Sequence, residues 1–168
     1  MNGGSSGIDT PPHPGGSTSS SSGSVNGIDL DSLATLTIGS DWCVRPEGQC
    51  LDAQSFTVDF TTATLTNTTC VELAGKPDSG AGGTQDGKTS HAIKREQLDT
   101  IKQLLANLQT TVYAANDAGA FNNPKRTLQV TSKAGTEHFA TYDTACPSPP
   151  GTALEAGWNE LWDAIRAM

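Results

Sequence analysis

Gly82-Gly83-Thr84-Gln85-Asp86-Gly87-Lys88-Thr89 matches, letter for letter, the phosphate-binding pattern G-x4-G-K-[ST]. In that pattern the glycines let backbone amides surround phosphate oxygens, while the lysine reaches the terminal phosphates and the hydroxyl serves magnesium. The chemistry needs a buried parallel strand running directly into the loop, and Gly75-Lys76-Pro77-Asp78-Ser79-Gly80-Ala81 cannot supply one. Asp86 would also place a carboxylate beside the phosphates, and no downstream apolar strand ends in an aspartate. The stretch from Ala74 to about Ser90 therefore reads as a long polar, Gly-rich loop. Nucleotide binding is not expected.

Nucleophilic catalysis requires a Ser or Cys beside a histidine that a third group orients. His91 and His138 are the histidines outside the N-terminal leader, and neither accompanies a nucleophile motif such as G-x-S-x-G. His138 alternates with Phe139, as an ordinary residue on a sheet face would. His13 falls in the leader and reads as an inert solvent-exposed side chain. Asp29 and Asp31 lack the further oxygen ligands calcium demands. Gly82-Gly83-x-x-Asp86 is at most one turn of a calcium-binding repeat that works only when stacked. Trp158 and Trp162 stand one helical turn apart, which fits an aromatic ligand shelf but fits a core better. Asn67-Thr68-Thr69 matches the N-glycosylation acceptor within an expected strand. No catalytic residue, cofactor site or metal site is expected.

The four cysteines, Cys43, Cys50, Cys70 and Cys146, form an even set in a Thr-rich chain. Structural zinc sites use closely spaced cysteine pairs, and these spacings do not fit. Two disulfides in an exported protein are the expectation. Three connectivities are open, of which spacing favours Cys43 with Cys50 and Cys70 with Cys146. The first would brace Val44, Arg45, Pro46 and Glu47 as a candidate contact loop. The second would close a loop of about 75 residues, worth on the order of 4 kcal/mol.

The formal net charge of −8 argues against nucleic acid or an anionic membrane surface as partner, because grip on phosphates is made by clustered Lys and Arg. No apolar run reaches the roughly 18 residues needed for a transmembrane span. Residues 1–31 are Gly/Ser-rich, with almost nothing to bury, and read as a disordered leader or tether. A signal peptide removed from the native protein reconciles that leader with the cysteines, whether the protein is freely secreted or lipid-anchored. Residues 32–168 read as one domain.

Within that domain Leu36-Thr37-Ile38 opens the ordered region. Phe56–Phe60 alternates with period two and is expected to pair with Thr64–Val71 as a hairpin. Leu98, Ile101, Leu105, Leu108 and Val112 lay an apolar stripe on a helix from about Lys94 to Tyr113. Thr127–Thr131 and Glu137–Tyr142 form a second hairpin around Lys133-Ala134-Gly135-Thr136. Thr152-x-x-Glu155 reads as a capping box opening a last helix, with Leu154, Trp158, Leu161, Trp162 and Ile165 on its apolar side. The expected fold is α+β: an antiparallel sheet of two hairpins with two packed helices, in the order β-β-α-β-β-α, stapled by disulfides.

The run of cysteine-bounded turn, hairpin, Ile93-Lys94-Arg95-Glu96-Gln97-Leu98 helix start, Thr127-Leu128-Gln129-Val130 hairpin and C-terminal helix resembles small uncharacterised domains of bacterial, myxobacterial-type lipoproteins. The resemblance spans about Leu36 to Met168 and implies a cell-surface location and no enzymatic activity. The expectation for function is a non-enzymatic secreted or lipid-anchored envelope domain that meets a protein partner or cell-surface component. The alternative is a secreted protease inhibitor presenting the Cys43–Cys50 loop.

Overall fold

The computed structural model describes residues 1, 24–25, 27–42, 50, 53–73, 83–113, 124–141 and 151–168. The expected contact loop from Val44 to Glu47 and the residues of the leader before Ser24, apart from Met1, lie outside the described residues. A small pair, β1 (Ser24–Val25) with β2 (Ile28–Asp29), precedes a 3-10 turn at Leu30–Ser32. Then follow β3 (Thr35–Trp42), β4 (Gln54–Asp59), β5 (Thr64–Glu72), β6 (Thr84–Ala92), α1 (Arg95–Ala106) and β7 (Gln109–Tyr113). The chain ends with β8 (Pro124–Ser132), β9 (Gly135–Thr141), β10 (Gly151–Ala156) and α2 (Trp158–Arg166).

Strands β3 to β10 form one sheet of eight strands, in the order β6-β5-β4-β3-β8-β9-β10-β7. Every neighbouring pair is antiparallel except β9 with β10, so the sheet is mixed. The α+β class and both expected hairpins, β4–β5 and β8–β9, are present. The simpler order β-β-α-β-β-α is not, and the extra strands have identifiable causes.

Three of them replace other expectations. The Gly-rich stretch expected as a loop is, from Thr84, an edge strand paired along its whole length with β5, Thr64 opposite Ala92 through Glu72 opposite Thr84. The helix expected to reach Tyr113 stops at Ala106, because Gln109-Thr110-Thr111-Val112-Tyr113 is rich in β-branched and aromatic residues that favour a pleated strand. Leu108 is still buried, but Val112 is 84% exposed. Thr152 and Glu155 do not cap a helix; they belong to β10, where register with β7 and β9 overrides local helix propensity. Ile28, expected in the leader, is 1% exposed and part of the core, so the folded domain begins before residue 32.

Alternation assigns the two faces of the sheet. Leu36, Ile38, Phe56, Val58, Leu65, Leu128, Val130 and Phe139 all point to one side and are buried. Both helices cover that side, α1 with Ile101 and Leu105, α2 with Trp158, Leu161 and Ile165. At the start of α1 the Gln97 side-chain carbonyl accepts the Lys94 amide at 2.8 Å. The entry to α2 is made by Gly157 at φ +94°, where an added Cβ would lie 3.1 Å from Leu108 Cδ2. Gly157→Ala is accordingly expected to lower stability by about 1–3 kcal/mol, readable as a lower urea midpoint with unchanged slope. No helix among the described residues is long and apolar enough to cross a membrane.

Cys50 is joined to Cys70, with Cα atoms 5.3 Å apart. Both favoured pairings, Cys43 with Cys50 and Cys70 with Cys146, are therefore corrected. The cause is sheet register rather than loop length. The Cys70 amide bonds the Ala53 carbonyl at 3.2 Å, and the Ala53 amide turns back to the Cys50 carbonyl at 3.0 Å, which folds Cys50 over Cys70. Glu72 holds the same corner by accepting the Cys50 amide at 3.0 Å.

Candidate functional site

The residues that could have carried catalysis are kept apart. His91 stands opposite Leu65 on the helix-covered side of edge strand β6, and His138 stands opposite Gln129 on the other side of β9. Both are exposed, and neither is hydrogen-bonded to a nucleophile among the described residues. Asp29 spends its oxygens locally, accepting the Asp31 amide at 3.2 Å and the Ser32 hydroxyl, and the Ser32 hydroxyl bond chiefly holds its carboxyl below the ordinary range. Asp59 likewise closes the turn between β4 and β5 by accepting the Thr61 and Thr62 amides at 2.8 and 2.9 Å. The Thr62 amide is the largest cause of its lowered carboxyl pKa. Among the described residues no group of three His, Cys, Asp or Glu side chains is placed to hold a metal.

The tryptophans serve the core. Trp158 is 6% exposed and stacks on half-buried Trp162 with ring centroids 4.8 Å apart, and Trp162 meets Phe56 edge-on at 5.0 Å. Arg126 lies 4.8 Å above the Trp158 ring, and Trp158 Nε1 donates to the Thr127 carbonyl at 3.4 Å. These contacts tie α2 to β4 and β8.

What the fold does assemble is the opposite side of the sheet, which no described helix covers. One row of cross-strand neighbours runs Ser90, Thr66, Thr57, Thr37, Gln129 and His138 across six strands. A second runs Lys88, Thr68, Ser55, Gly39 and Thr127, and a third Thr64, Asp59, Thr35, Thr131 and Thr136. Threonine suits a strand through its branched Cβ, and directly opposed hydroxyls can bond across the ladder. Three such pairs form: Thr66 with Ser90 at 2.8 Å, Thr37 with Thr57 at 3.1 Å and Thr131 with Thr136 at 3.1 Å. Each hydroxyl retains acceptor capacity for an outside donor.

Gly39 interrupts the second row. Its missing side chain, beside small Ala53 and Ser55, leaves an open depression of about 190 Å³ lined also by Thr68, Cys70, Asp86 and Thr127. A Cβ added at Gly39 would sit 3.3 Å from Thr127 Oγ1 and 3.4 Å from Ser55 Cβ, so a side chain there would press on its neighbours and take up part of the depression. The Cys50–Cys70 bond borders it and fixes one wall.

Sequence reasoning weighed His138, Lys88 and Asp86 for other chemistry and named Cys70 for a disulfide, but marked none of the threonines or serines of these rows as a site. The available signal was alternation of threonine with leucine, Thr35-Leu36-Thr37 and Thr64-Leu65-Thr66. That alternation specifies a solvent-facing side but not that three rows align across the sheet. The residues expected as a contact loop, Val44 to Glu47, lie outside the described residues. The brace that would have made them an inhibitor loop is not formed, because Cys50 bonds Cys70. No protein-family model, curated protein or solved structure matches this chain.

Proposed function

We propose that the chain is a non-enzymatic, exported domain that acts by surface contact, and that its contact surface is the hydroxyl-bearing side of the sheet. The observation that carries this reading is the alignment of the threonine rows around the Gly39 depression. It is a broad area with hydrogen-bonding groups on a sheet face that no described helix covers. Such a surface fits a partner of neutral hydrogen-bonding chemistry, as an envelope component presents. Export is supported by the Cys50–Cys70 bond, because disulfides persist in oxidising compartments. Lipid anchorage or free secretion both agree with the Gly/Ser-rich leader.

The test is co-sedimentation of the full chain with insoluble bacterial envelope material. Thr127 and Gln129 are exposed on β8, so carboxylates introduced there leave the core untouched. The native chain is expected to co-sediment, and Thr127→Glu with Gln129→Glu to bind about tenfold or more weakly, since a contact would bury unpaired charge. Absence of native binding, or equal binding by the double variant, would overturn the reading.

A further inference from the structure

β6 is one edge of the sheet, nine residues long and exposed along almost its whole length, and no described strand pairs with its outer side. Open edges of this length invite further pairing, and proteins commonly block them with a lysine. β6 carries such a lysine, Lys88, but two residues before it is Asp86, on the same side of the sheet, with Gly87 between. Neither charge is ion-paired among the described residues. An edge with a lone lysine repels a copy of itself; one with this arrangement does not.

We infer that β6 pairs with β6 of a second copy of this chain, antiparallel about a two-fold axis through Gly87. Antiparallel partners directly opposite each other share a face. With Gly87 opposite Gly87, Asp86 of each chain stands opposite Lys88 of the other, giving two symmetric ion pairs. Thr84 then meets Ser90, and Gln85 meets Thr89, so polar residues face polar residues throughout. The register is selected by charge. A slip of one residue pair in one direction sets Asp86 against Asp86, and in the other direction Lys88 against Lys88; like charges directly opposed destabilise a ladder.

The reverse side of the strand agrees. Val71 on β5 is 40% exposed, and its Cγ2 lies 3.0 Å from where a Gly87 side chain would begin, so it leans over the glycine toward the edge. In the two-fold pairing both Val71 side chains lean toward the axis over the paired glycines, and apolar surface left open in one chain is shared. The interface is isologous, as a closed dimer requires. It also makes the two threonine faces continuous, yet it does not depend on what that face binds.

Sedimentation equilibrium of the full chain tests it. The native chain is expected to approach twice the monomer mass as concentration rises. Asp86→Lys sets two lysines opposite each other twice over and should weaken association about tenfold or more. Asp86→Lys combined with Lys88→Asp restores opposite charges in the same register and should restore the dimer. A native chain that stays monomeric up to about 1 mM, an Asp86→Lys chain that associates normally, or a double variant no better than the single one would each overturn the pairing.

Discussion

Truncating Leu161 to alanine is expected to destabilise the protein by about 2–5 kcal/mol, the cost of lost burial plus the cavity left behind. Leu161 is fully buried on α2, between Trp158 and Ile165, where that helix meets the sheet and α1. Neighbouring rings cannot easily collapse into the gap, because Trp158 and Trp162 are stacked on each other and Trp162 is held edge-on by Phe56. The comparison residue is Val112, placed on the same kind of apolar stripe by sequence periodicity but 84% exposed on β7. Val112→Ala should move stability by no more than about 0.5 kcal/mol. Urea unfolding of both variants separates the two environments; similar losses would mean that α1 continues through Val112 after all.

The second large effect belongs to the disulfide. Replacing Cys50 and Cys70 together by alanine is expected to cost at least about 3 kcal/mol, the loop-closure value for a bond between residues 20 apart. The loss should exceed a simple cross-link, because the bond also holds the corner where Glu72 accepts the Cys50 amide. Digestion of the non-reduced chain should release a peptide joining Cys50 to Cys70. Recovery of a Cys43–Cys50 peptide would contradict the register of β4 and β5 as well as the pairing.

What could be read from the sequence follows a physical division. Phe56, Val58 and Leu65 announced their strands because one side of each strand is buried and the other is not. Leu98, Ile101 and Leu105 announced α1 for the same reason at helical spacing. β6 was illegible because an exposed edge strand has no buried side to impose alternation, and Asp86, Gly87 and Lys88 are residues that strands usually avoid. β10 was hidden by the opposite problem. Thr152-Ala153-Leu154-Glu155 has good local helix character, and only neighbours distant in sequence, β7 and β9, turn it into a strand. The cysteine pairing failed because proximity along the chain is a poor guide where a ladder has already set residues side by side.

The candidate site shared this fate. Each threonine was recognisable as a solvent-facing strand residue, but the rows exist only through the strand order β5-β4-β3-β8-β9, which brings residues such as Thr57 and Gln129 to either side of Thr37. That order is a long-range property. The depression at Gly39 depends on it too, since Thr127 and Ser55 approach the glycine from different strands.

The proposed contact surface is the side of the sheet that no described helix covers. Lys125 lies on that side, next to Arg126, which points the other way onto Trp158, whereas Lys102 lies over Phe60 on the helix-covered side. Amine acetylation of the full chain, free and bound to envelope material, followed by peptide mapping, compares the two lysines directly. Binding is predicted to protect Lys125 and leave Lys102 as reactive as in the free chain. Protection of Lys102 with Lys125 unchanged would place the contact on the helices and contradict the claim.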